Sequence, residues 1–156
     1  MGATVGGGGV SLWTNLVTDD FGTVGGGFGN QAGDNWGITY DKSYATVGGG
    51  RNNMASGYES TVGGGAANTA SGAEATVGGG GSNSARGQYS TVPGGLYNTA
   101  WGSYSFAAGR RAEANHDGSF VWADSTDANF TSNAANEFAV RAGGGVRLVT
   151  GGAGAT

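Results

Sequence analysis

The chain has 156 residues, of which 36 are Gly and only 12% are charged, with a formal net charge of −4. Gly loses more backbone entropy on folding than any other residue, so a single-chain core of ordinary thickness is not expected. One Pro without a Gly-X-Y period excludes collagen, the mild acidic balance offers no basic stripe to nucleic acid, and the lack of Cys excludes a disulfide framework.

The N-terminal stretch Met1 to Val10 has neither a positive region nor an apolar run of signal-peptide type. No segment is long and apolar enough to span a bilayer as a helix, and no direct membrane contact is expected. Thr4 and Thr23 each open a Thr-Val-Gly unit, at irregular spacings of nineteen and twenty-three residues to the next copy. The extra residues include Leu12, Trp13, Leu16, Trp36, Ile38 and Tyr40.

From Thr46 the pattern becomes regular. Thr-Val recurs at Thr46, Thr61, Thr76 and Thr91, a period of fifteen, and an Asn follows each Thr by seven places, at Asn53, Asn68, Asn83 and Asn98. Ala recurs at Ala55, Ala70, Ala85 and Ala100, and Gly at Gly57, Gly72, Gly87 and Gly102. A period this short fits two small strands and tight turns, and Gly and Thr-Val pairs disfavour helix. Stacked coils about 4.8 Å apart would align identical residues in columns. The inward column would include Val47, Val62, Val77 and Val92, extending to Val5 and Val24 before it and to Ala107 and Val121 after it. The Asn column reads equally as a hydrogen-bonded ladder or as turn propensity.

Degenerate copies follow, at Ser105 to Gly109 and Ser119 to Ala123. The organisation is therefore 1–123 repeats (irregular 1–45, regular 46–105, degenerate 106–123), a capping or neck segment 124–150, and a flexible tail 151–156. In the capping segment, Glu137 to Ala142 and Val146 to Thr150 read as two strands about Gly143 to Gly145. Its large aromatics would close an open roll end.

The units ATVGGG (Ala45 to Gly50), NMASG (Asn53 to Gly57), ESTVGGG (Glu59 to Gly65), NTASG (Asn68 to Gly72) and SYSFAAG (Ser103 to Gly109) resemble the head repeats of trimeric autotransporter adhesins of the YadA-like type. The C-terminal segment is similar to closing elements of tail-fibre-like and chaperone-tipped surface proteins. The resemblance covers roughly residues 3 to 123. It implies an all-β fold, a left-handed parallel β-roll or solenoid of 14–15-residue repeats, packed as a homotrimer whose apolar columns face a shared axis. The fifteenth residue per unit and the full Gly-Gly-Gly depart from the family pattern. In that setting Phe106, Phe120, Trp122, Phe130 and Phe138 would form a trimer cap, and the isolated chain would not fold.

No catalytic, cofactor or metal site is expected. His116 is the single histidine and reads as a solvated turn residue, with a metal or anion on a three-fold axis as the minor alternative. Asp19-Asp20, Asp124 and Asp127 do not reproduce a calcium loop. The expected role is a fibre head attaching to a host protein or glycan, extracellular at a cell surface, with a phage tail fibre as the alternative. Regular Thr columns also raise an ice-binding reading, opposed by the alternation of Thr with its Ser or Ala neighbour across faces. Trp36, Tyr40 and Tyr44 sit in the insertion Asp34 to Tyr44 as a recognition surface, or as a cover for the N-terminal end, the preferred reading.

Overall fold

The computed structural model of the chain describes residues 2–149, and these form a parallel β-solenoid without helix. One sheet stacks Thr4–Val5, Thr23–Val24, Thr46–Val47, Thr61–Val62, Thr76–Val77, Thr91–Val92, Phe106–Arg110, Phe120–Ala123 and Phe138–Arg141, with Gly95–Leu96 alongside. We call it the Thr-Val sheet. The opposing Ala sheet stacks Leu16–Val17, Gln31–Ala32, Met54–Ala55, Thr69–Ala70, Ser84–Ala85, Thr99–Ala100, Ala112–Ala114 and Phe130–Thr131. Each coil adds one strand to each sheet, and like residues fall in register, Thr61 on Thr76 and Val62 on Val77. Thr4 and Thr23 join the same ladder despite their irregular spacing. The ladders continue through Thr131 and Arg141, whereas residues 146–149 form no strand. Thr150 and the tail 151–156 lie outside the described residues.

Alternation along a strand decides what lies inside. Val24, Val47, Val62, Val77, Val92 and Val121 point inward and are fully buried, with Ala107 continuing the column. From the Ala sheet, Ala32, Ala55, Ala70, Ala85, Ala100 and Ala114 complete one continuous cluster with them. A third inward column comes from Ala45, Ser60, Ala75 and Ser90, all buried. Val5 is 47% exposed, because it belongs to the first coil and has a neighbour on one side only. The apolar columns are thus covered within one chain, not presented to a shared axis. Side chains this small let the two sheets close on each other, which large aliphatics would prevent.

The glycines divide by task. In each Gly-Gly-Gly run that follows Thr-Val the first and third lie against the next coil: a Cβ on Gly63 or Gly65 would overlap the carbonyl oxygen of Gly78 or Gly80. The third also has a left-handed backbone, φ +88° at Gly65 and +84° at Gly80. A Cβ on the middle residue, Gly64 or Gly79, meets nothing nearer than 3.8 Å. Gly57, Gly72, Gly87 and Gly102 mark the sharper corner, where any Cβ would strike backbone of the following coil.

The Asn column is a buried ladder. Asn83 donates both amide hydrogens, to Gly79 O and Gly95 O at 2.9 Å each, and its Oδ1 accepts the N–H of Asn98 at 3.0 Å. Asn68 repeats this with Gly64 O, Gly80 O and the N–H of Asn83. Both amide hydrogens and the oxygen of each side chain are engaged in the interior, and the turn and ladder readings prove to be one arrangement. The series starts earlier than Asn53, at Asn15 and Asn30, and ends where Asn98 Oδ1 accepts from Ala112 at 2.9 Å. Asn30 stands seven places after Thr23, the same offset as in the regular units; Asn15 is displaced by a small insertion closed by Val10 and Trp13.

Candidate functional site

The insertion between Ala32 and Ala45 is anchored at its root by Asp19. The carboxylate of this buried residue accepts the N–H of Asp34 and the Thr18 hydroxyl, both at 3.0 Å. Thr18 Oγ1 in turn accepts from the N–H of Asn35 at 3.1 Å, and Asp34 Oδ1 from that of Trp36 at 2.9 Å. Gly33 makes the approach feasible: its φ is +102°, and a Cβ there would overlap the Asp19 carboxylate and Thr18 hydroxyl. Beyond this root the loop stands open. Trp36 is 85% and Tyr40 73% exposed, so within one chain neither covers the N-terminal end.

Tyr44 parts company with the other two. It sits at a corner and stacks on Phe21 at 5.0 Å between ring centroids, with Tyr58 edge-on at 6.2 Å. The same corner position is held by Phe21, Tyr44, Glu59, Glu74, Tyr89 and Tyr104, all with φ between 53° and 64°. Left-handed backbone is costly for such residues. It is fixed here by cross-coil bonds such as Glu74 N–H to Tyr58 O at 2.7 Å and Tyr89 N–H to Ala73 O at 2.9 Å. Tyr89 and Tyr104 stack at 5.0 Å, and the Glu74 carboxylate beside Tyr89 pushes its phenol above the usual range, chiefly by hydrogen bonding.

The outward side of the Thr-Val sheet changes character along its length. Thr4, Thr23, Thr46, Thr61, Thr76 and Thr91 align on it, and Phe106 takes the next position. Phe106, Phe120 and Phe138 then stack at 4.5 and 4.8 Å. Trp122 lies outward beside them, 38% exposed, and Phe138 is 69% exposed. Four of the five expected cap aromatics therefore share one outer surface. Phe130 does not: it belongs to the Ala sheet and packs against the core cluster, with the Arg141 guanidinium 5.4 Å from its ring centroid.

Asp124 gathers the end of the chain. It accepts from Gly143 N–H at 2.7 Å and from Arg141 Nε at 3.1 Å, and these bonds with Thr126 hold its carboxyl well below the usual carboxylate range. His116 is at a turn as expected, but its Nδ1 lies 2.8 Å from the Ser132 hydroxyl and the side chain is half-buried.

Fold and surfaces together define a structural repeat protein: a parallel β-solenoid with a small-residue core and an exposed aromatic loop near one end. No family model matches the chain, and no curated protein is similar to it.

Proposed function

We propose that this solenoid is the head module of a homotrimeric surface fibre, a structural and not a catalytic part, which attaches to a host protein or glycan outside the cell. The observation that carries this reading is the outward Phe106–Phe120–Phe138 stack with Trp122. A contiguous stack of aromatic rings on the outer face of a self-closed roll is a site for association. The family-like repeats support three chains as the number. The open loop with Trp36 and Tyr40 is then the contact with the target, since large aromatics on a held loop are recognition groups. A bacterial adhesin and a phage tail fibre share this architecture. A membrane β-barrel encoded further along the same reading frame marks the first, neighbouring baseplate genes the second.

Sedimentation equilibrium should give about three times the 15.2 kDa chain mass. Phe120→Ser combined with Phe138→Ser should release chains that stay folded, because both rings lie outside the roll. A parent chain that sediments as a monomer at micromolar concentration would remove the trimeric reading.

A second reading rests on the Thr column. Six outward threonines in strict parallel register form a row at coil spacing, about 4.8 Å, of the kind that orders water. Against it, the Ser60, Ala75 and Ser90 neighbours are buried, which leaves a single file. A fibre head should show no thermal hysteresis; a clear hysteresis gap in the purified protein would transfer the assignment to ice binding.

A further inference from the structure

The root of the aromatic loop carries a feature that neither the repeat architecture nor attachment uses. Asp19, from the corner after Leu16–Val17, and Asp34 and Asp41, from the insertion, each place a carboxylate oxygen within 4.8 Å of the other two. Asp19 is only 4% exposed, and while its Oδ2 is engaged by Thr18 and Asp34, its Oδ1 is buried and meets no donor. Asp41 Oδ1 is likewise buried without a donor, and Lys42 reaches only its other oxygen, at 3.8 Å on the surface. Carboxylate oxygens shielded from water need a hydrogen bond or a cation, and three carboxylates this close repel one another.

We infer that Asp19, Asp34 and Asp41 form a calcium site that pins the loop 34–41 of the second coil to the corner of the first. The ligand set is all oxygen and anionic, which selects a hard cation. Its irregular supply from one corner and one loop suits Ca²⁺, which accepts six to eight oxygens in flexible geometry, better than Mg²⁺, which demands a near-ideal octahedron. Asp34 Oδ1 already shapes the turn at Trp36, so a cation on this cluster sets the loop that displays Trp36 and Tyr40. The site stands on the carboxylates alone and is independent of what those aromatics touch. It is invisible to a search for a contiguous calcium loop, because its members are separated by a whole coil and an insertion.

The full chain can be titrated with Tb³⁺, whose luminescence Trp36 should sensitise from its place two residues beyond Asp34. Saturable emission displaced by Ca²⁺, and a melting temperature that rises with Ca²⁺ and falls in EDTA, are expected. Asp41→Asn should weaken Ca²⁺ binding about tenfold or more, since affinity follows ligand charge. In EDTA the same variant should melt at or above the parent, because one repelling charge is gone. Asp19→Asn should act in the same direction on binding, but Asp19 also holds the loop backbone, so Asp41→Asn is the decisive variant. Absence of emission and of any melting shift in millimolar Ca²⁺ would overturn the site. So would a Ca²⁺ response undiminished in Asp41→Asn, and a preference for Mg²⁺ would overturn its assignment to calcium.

Discussion

Gly87→Ala should destabilise the solenoid by about 4 kcal/mol or more, while Gly79→Ala, eight residues earlier, should leave it within about 0.5 kcal/mol of the parent. The difference is one of space, since neither glycine has a left-handed φ. A Cβ on Gly87 would overlap the carbonyl of Gly102 and crowd that of Trp101 in the next coil, and both are backbone. Coil separation is set by parallel hydrogen bonds near 4.8 Å, so relief would require breaking the ladder between coils. On Gly79 the nearest atom to a Cβ is 4.0 Å away, ordinary contact. Alanine there also restricts the unfolded chain, which adds slightly to stability. Urea titrations of the two variants check this. Equal effects would mean that the coils can shift apart freely, contrary to the register seen throughout both sheets.

Asn83→Ala should cost roughly 3 kcal/mol or more. The substitution strips bonds from Gly79 O, Gly95 O and the N–H of Asn98 at once, and each buried polar group left without a partner costs about 1–3 kcal/mol. Gly95 O retains the N–H of Gly81, so the orphaned Asn98 N–H should dominate. For a chain of this size the melting temperature should fall by about 10 °C. Asn83→Asp is the informative companion. It keeps the acceptor for Asn98 but presents a carboxylate to two carbonyl oxygens, so it should be at least as harmful as alanine at neutral pH and recover partly in acid. The sign follows from linkage: the native surroundings favour the protonated form, so the native pKa lies above the unfolded one and stability is gained as pH falls. A melting temperature unchanged in Asn83→Ala would show that water replaces the side chain.

Much of this architecture was legible in the chain because stacking converts sequence period into spatial column. A fifteen-residue repeat with Thr, Val, Asn, Ala and Gly at constant offsets specifies which residues stack on which before any coordinates are known. Val47, Val62, Val77 and Val92 lie inward as read from alternation, and Asn53, Asn68, Asn83 and Asn98 align as read from their offset. Asn30 keeps the offset but stands in an irregular unit outside the column as read, and Asn15 and the Asp19 cluster lie among insertions that shift the count.

Three things were decided only by the tertiary structure. The first is the closure of the core inside one chain. Counting Val and a few Ala per unit leaves the chain short of apolar surface, but the folded coil also buries Ser60, Ala75 and the Asn ladder from Asn30 to Asn98, with its hydrogen bonds satisfied internally. The second is the division of the C-terminal aromatics. Phe120 and Phe130 are ten residues apart in sequence yet lie on opposite sheets, one outward and one against the core, because the chain turns a corner between them. The third is the meeting of Asp19, Asp34 and Asp41. Local sequence determines contacts along a coil and, through the period, between equivalent positions of successive coils. It carries no signal for side chains that converge from an insertion onto a neighbouring coil, where only the path of the backbone through space brings them together.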